Sequence, residues 1–141
     1  IFYDKSAITS LINCSAPIAV TYDPNWLDVW KKRFEDPLTD AETFLIDTSN
    51  RIIEIGNKPN NVEEIQGQYM GLLRITPESW GHIVSTLSNL PKSTRDKMSM
   101  TNLLQYLVLQ TKLSVIGVPY ENEWGEIDNE NDYNLYKENV K

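Results

Sequence analysis

The chain has 141 residues, 40% hydrophobic and 23% charged, the size and mix of one ordinary globular domain. Its 13 Lys and Arg against 20 Asp and Glu leave a net charge of -7, which argues against nucleic acid as the main partner, because phosphate backbones are held by basic patches. One cysteine, Cys14, excludes an internal disulfide and fits a reducing compartment, so a cytoplasmic protein is expected.

No apolar run approaches the ~20 residues that span a bilayer, and no membrane partner is expected. Ile1-Phe2-Tyr3 reads as the exit of a strand that begins upstream, so the chain is expected to be a fragment. Asp4-Lys5-Ser6 can cap a helix running to about Asn13, with Ile8, Leu11 and Ile12 on one side. Ile18 to Tyr22 is a short apolar run, predicted as a buried strand. Asp23-Pro24-Asn25 then turns into a helix from Trp26 to Phe34. Its stripe of Trp26, Leu27, Trp30 and Phe34 predicts core or interface, and Asp28, Lys31, Lys32 and Arg33 are predicted to face solvent.

Thr43 to Ile46 and Arg51 to Ile55, separated by Asp47-Thr48-Ser49-Asn50, predict a β-hairpin. Gln68 to Ile75 reads as a strand, and Gly71 inside it calls for a bulge or for the close approach of a backbone or ligand. Pro77 opens a helix to about Leu90, with Trp80, Ile83, Val84 and Leu87 as its apolar face and the lone His82 at its surface. A polar connection from Pro91 to Met98 leads to a helix capped by Ser99 or Thr101. Strands are then predicted from Leu113 to Val118 and from Trp124 to Asp128, and a last helix from Asn131 to Val140. Alternating strands and helices around one hairpin predict an α/β fold with a mixed sheet covered by helices.

Residues that could carry chemistry are few. One Cys and one His do not make a zinc site or a nucleophilic triad, and neither common glycine-rich phosphate loop is present in these residues. Oxygen chemistry remains. Asp128, at the end of a strand and just before a helix, suits Mg²⁺, which takes few carboxylates together with substrate phosphates. The same cluster, Glu126 to Asp132, suits helix capping and solvation better than a metal on the residues alone. Lys58, in the loop after the hairpin, could meet a phosphate as a point charge.

The order of segments carries a resemblance. Its parts are Asn50-Arg51-Ile52-Ile53-Glu54-Ile55-Gly56-Asn57-Lys58-Pro59; Tyr69-Met70-Gly71-Leu72-Leu73-Arg74-Ile75 with its following Pro-initiated helix; Met100-Thr101-Asn102-Leu103-Leu104; and Trp124-Gly125-Glu126-Ile127-Asp128. With Asp132-Tyr133 at the last helix start, the set resembles the second half of the nucleotidyltransferases that make nucleotide-diphospho-sugars and of the related phosphocholine cytidylyltransferases.

That resemblance implies a Rossmann-like α/β domain of which residues 1–141 form the C-terminal, acceptor-binding part, with the nucleotide-binding part missing. It implies Mg-dependent transfer of a nucleoside monophosphate from an NTP to a sugar 1-phosphate or phosphocholine, with release of pyrophosphate. Asp128 then matches one of two metal carboxylates, the other falling just before Ile1. Lys58 matches an acceptor-side lysine, Tyr69 and Gly71 match positions lining the acceptor pocket, and Glu42 and Thr43 lie where the hairpin approaches the acceptor. Glu126 and Trp124, beside Asp128, join the substrate-binding set. Asn57 departs from the family's Glu before the lysine, which bears on the contact to a sugar hydroxyl. Glu130, Asn131 and Asp132 are left to capping and solvation. Without the NTP-binding loop the fragment by itself is expected to be inactive. The alternative function is a non-catalytic interaction module that retains part of the fold.

Overall fold

A computed structural model describes residues 1–137. The strand β2 (Ile18–Asp23) lies at its centre with every residue buried. Its near-continuous apolar run is what a strand covered on both faces requires. β2 pairs antiparallel with β5 (Gln68–Ile75) on one side and parallel with β6 (Val115–Pro119) on the other. The sheet is therefore mixed, with α1 (Ser6–Asn13) against β2 and β5 and α5 (Met100–Gln110) against β6.

The hairpin forms from β3 (Phe44–Ile46) and β4 (Ile52–Ile55), and Asn50 takes a left-handed φ of 59° in its turn. An isolated bridge between Arg51 and Ile116, with the Gly117 N–H donating to Asn50 O at 2.8 Å, ties the hairpin to β6. Phe44, Ile52 and Ile55 join Val20, Leu104 and Leu107 in one core beneath it. A second core gathers Trp26 and Trp30 of α2 (Trp26–Arg33), Ile65, Met70, Tyr120 and Trp124. Both α2 tryptophans are 3% exposed, as their stripe predicts.

Several boundaries and faces differ from expectation. The late strand β7 (Trp124–Gly125) pairs with β1 (Phe2–Tyr3) over two residues and stops. Glu126 to Asp128 lie outside this two-residue ladder. The connection after Pro91 contains a short helix, α4 (Lys92–Arg95). In α3 (Pro77–Ser88) Ile83 is buried, but Trp80 and Val84 are about half exposed. In α1 Ala7 and Leu11 face the core while Ile8 and Ile12 face out. The last helix, α6 (Glu130–Tyr136), begins one residue earlier than predicted, and its expected continuation to Val140 lies outside the described residues. Among the described residues no helix is long and apolar enough to cross a membrane.

Gly71 resolves as a bulge. The register shifts between Val20 and Tyr22, with β5 taking the extra residues between Tyr69 and Leu73, and Gly71 sits there at φ 75°. The Thr21 hydroxyl donates to Leu72 O at 2.9 Å and satisfies a carbonyl that the ladder gives up. A Cβ at Gly71 would meet nothing nearer than Ile1 Cδ1 at 3.4 Å. The glycine is needed for its backbone angle, not for room. Gly71→Ala should therefore destabilise the protein by ~1–2 kcal/mol, read as a lower urea midpoint with an unchanged m-value. A midpoint equal to wild type would show that the bulge tolerates a side chain.

Candidate active site

Trp26, Trp30 and Arg33 share one face of α2 at positions i, i+4 and i+7. The two tryptophans enter the core, and Arg33 follows them in at the C-terminal end of the helix, where a cation complements the helix dipole. Its side chain is 1% exposed, which corrects the expectation that it faces solvent. Its guanidinium carbon lies 5.3 Å from the Trp30 ring centroid and 5.0 Å from that of Phe34. Aromatic faces accept a guanidinium because its charge is delocalised and weakly hydrated.

The guanidinium gathers three carboxylates from the end of the chain. Nε donates to Asp132 Oδ1 and Nη2 to Asp132 Oδ2, both at 2.9 Å. Nη1 donates to Glu126 Oε1 at 2.7 Å, and Nη2 also donates to Asp128 Oδ2 at 2.9 Å. Burial opposes the charge on Arg33, and its hydrogen bonds to Asp132 and Glu126 overcome that, holding its pKa above the ordinary value. The hydrogen bonds from Arg33 likewise hold the Asp132 carboxyl below the usual range against its burial. For Glu126 burial wins, and its pKa is raised despite Arg33.

Asp132 is thus neither a cap nor a solvated residue, as the sequence had suggested. It is fully buried and also accepts from the Asp128 N–H at 3.1 Å and from Asn129 Nδ2 at 3.0 Å. The cap of α6 is Asn129, whose Oδ1 accepts from the Asp132 N–H at 3.0 Å.

Beside this cluster opens a cleft of about 240 Å³. Glu42, Thr43, Tyr69, Glu126 and Asp128 all line it, so five of the predicted site residues converge from segments far apart in sequence. Asp40 and Gln68 also line it, which the sequence had not marked as site residues, and so does Trp30, which had been read as core or interface. The Gln68 amide brackets the Glu42 peptide: it accepts from the Glu42 N–H at 3.2 Å and donates to Glu42 O at 2.6 Å. The Glu42 carboxylate accepts from the Thr101 hydroxyl at 3.3 Å, and burial raises its pKa. Asp40 accepts from Trp30 Nε1 at 3.1 Å. Burial pushes the Tyr69 phenol up to about 12, so it is neutral at physiological pH and can donate a hydrogen bond.

The remaining predicted residues lie outside the cleft lining. Trp124 is buried in the second core and donates Nε1 to Asp23 Oδ2 at 2.8 Å. Gly71 is exposed in its bulge. The Lys58 ammonium is held by the carbonyls of Leu38 and Thr39, in the turn that leads to Asp40. Asn57 donates from its side chain to Glu54. Among the described residues no group of three or more His, Cys, Asp or Glu is arranged to enclose a metal ion. Asp128 and Glu126 supply one or two carboxylates at the cleft, the number Mg²⁺ takes when substrate phosphates and water complete its shell.

No family model matches the sequence. Over 134 residues, 91% of the chain, it is 32% identical to the CTP:phosphoglutamine cytidylyltransferase of Campylobacter jejuni. The chain spans about half, 52%, of that enzyme's length. It is thus related to part of a nucleotidyltransferase, and its mixed α/β architecture agrees with that relationship.

Asp132 and Glu42 should respond to pH with opposite signs. The lowered pKa of Asp132 means stability that is present above its unfolded value near 4 and lost as pH falls through the folded value. Asp132→Asn should cost about 1–3 kcal/mol at pH 7, because two hydrogen bonds to the buried guanidinium are weakened while Glu126 and Asp128 still pair with it, and the gap to wild type should begin to close below about pH 4. The raised pKa of Glu42 means a contribution present below its unfolded value and lost as pH rises through the folded one. Glu42→Gln should therefore be the more stable protein at pH 7 and lose that advantage in acid. Denaturation curves of both variants from pH 3 to 8 test the pair, and parallel curves would contradict it.

Proposed function

Starting from its relationship to part of a nucleotidyltransferase, we propose that the chain is the acceptor-binding portion of an enzyme that transfers CMP from CTP to a small phosphorylated acceptor. An oxygen of the acceptor phosphate attacks the α-phosphorus in line, the bond to the β-phosphate breaks, and pyrophosphate leaves. The cleft beside Arg33 is the acceptor site. Asp128 and Glu126 would hold a Mg²⁺ ion, which when bound offsets the charge of the phosphates. Lys58 adds a cation near the Asp40 turn. Two carbonyls occupy two of its three donors, and one is left for a phosphate oxygen.

The character of the cleft carries the choice of acceptor. Four carboxylates line it, Asp40, Glu42, Glu126 and Asp128, together with the aromatic rings of Trp30, Phe44 and Tyr69. Glu42 has no cationic partner among the described residues and is desolvated by burial. A carboxylate held in that state favours a ligand cation, and aromatic faces add to the attraction. The acceptor is therefore a phosphorylated molecule with a cationic end, such as phosphocholine or another aminated phosphate, in preference to the 1-phosphate of an uncharged sugar. Asn57 agrees with this preference, because the resemblance gives a Glu there to the sugar enzymes.

The test is pyrophosphate release by the intact protein with each of four NTPs against phosphocholine, phosphoglutamine and glucose 1-phosphate. CTP with a cationic acceptor should be the fastest pair, and Asp128→Ala should abolish turnover while leaving the fold intact. Glu42→Gln should raise KM for the cationic acceptor about tenfold, equivalent to ~1.4 kcal/mol, with a smaller change in kcat. Turnover with no NTP, or full activity of Asp128→Ala, would sink the proposal. Glucose 1-phosphate as the best acceptor would remove the role of Glu42.

A further inference from the structure

One guanidinium faces three carboxylates, and the three are not equivalent. Asp132 takes Nε and Nη2 in a bidentate pair, is itself 1% exposed, and would neutralise Arg33 without help. Glu126 and Asp128 are therefore excess negative charge. Both line the cleft, at side-chain exposures of 25% and 65%, and each spends one oxygen on Arg33. The Oδ1 of Asp128 makes no hydrogen bond among the described residues.

We infer that Arg33 is a positioning residue: an internal counter-ion that aims Glu126 and Asp128 into the cleft and competes there with a divalent cation. This rests on the cleft being the cytidylyl-transfer site. The chain of support runs outward from the core. Trp30 and Phe34 pack against the guanidinium, the bidentate pair with Asp132 orients it, and Nη1 and Nη2 then set where the two cleft carboxylates end. Such support acts on a pair of carboxylates that lie outside the described β1–β7 ladder. The same contacts lower the net charge that an entering cation meets. Losing Arg33 therefore has two effects of opposite sign: a stronger attraction for the cation, and a looser carboxylate pair to receive it.

The experiment uses the intact protein and Mn²⁺ as the probe, with binding read by electron paramagnetic resonance in the absence of nucleotide. Arg33→Gln removes the charge and should bind Mn²⁺ several-fold tighter than wild type while kcat falls about tenfold or more, the range seen when a supporting partner of a ligating group is lost. Arg33→Lys returns the charge without the fork, so its Mn²⁺ affinity should come back to within about twofold of wild type while kcat stays low. A kcat that falls only in proportion to the folded fraction, with Mn²⁺ affinity unchanged, would make Arg33 merely structural and overturn the inference. Wild-type kcat in either folded variant would overturn it as well. Where Arg33→Gln does not fold, Arg33→Lys decides by the same kcat criterion, measured on folded protein. The Mn²⁺ measurement needs no turnover. A wild type inactive with every NTP would sink the cytidylyl-transfer reading, whereas an Arg33→Gln affinity equal to wild type would sink the counter-ion.

Discussion

The bidentate pair between Arg33 and Asp132 is the contact on which the late part of the fold and the cleft both depend. It joins the end of α2 to the start of α6 across 99 residues, and neither partner reaches solvent. A buried ion pair contributes little net stability compared with apolar residues of the same volume, but losing Arg33 is costly because it strands the buried Asp132 charge. Its value here is geometric. The segment between β7 and α6 lies outside the described β1–β7 ladder, and the guanidinium ties its carboxylates to α2. Glu126 and Asp128 take their positions from that hub.

Around the hub the aromatic residues form a floor. Trp26 and Trp30 meet edge to face with centroids 6.1 Å apart, and the Trp124 ring also lies 6.1 Å from that of Trp30. Each indole N–H is satisfied, by Ile65 O, by Asp40 and by Asp23. These bonds do more than satisfy buried donors. The one from Trp30 holds Asp40 at the cleft rim, so a core residue also orients an acidic wall. Glu42 is held in the lining by Gln68, which brackets its peptide as a neighbouring strand would. The cleft is acidic because its carboxylates are supported from behind by neutral donors and shared with a single arginine.

Much of this was legible in the chain. The apolar run at Ile18 to Tyr22 gave the central strand, the turn residues gave the hairpin, and Pro77 and Ser99 marked two helix starts, because these signals are local. Glu42, Thr43, Tyr69, Glu126 and Asp128 were legible as a set through the order of their segments, and the fold brings them to one cavity. The misses share a cause. Trp80 and Val84 look like a core face at helical spacing, but spacing does not say which face of a helix meets the rest of the molecule. Asp132 read as a cap because it begins a helix, and its true partner is 99 residues away. Arg33 read as polar surface, although a signal was present: it continues the i, i+4, i+7 stripe of Trp26 and Trp30.

The sequence by itself determined the fold class, the place of most elements and the chemistry available: carboxylates, aromatics and a few cations, without the ligands for zinc or a nucleophilic triad. Only the tertiary structure decided which carboxylates are structural and which face a cleft. Charge is a property of a residue type, but whether it is spent inside the protein depends on what the fold brings within 3 Å. Asp128 and Asp132 are four positions apart and chemically identical. One is 65% exposed on a cavity and the other 1% exposed against a guanidinium, and nothing local to the two residues distinguishes them.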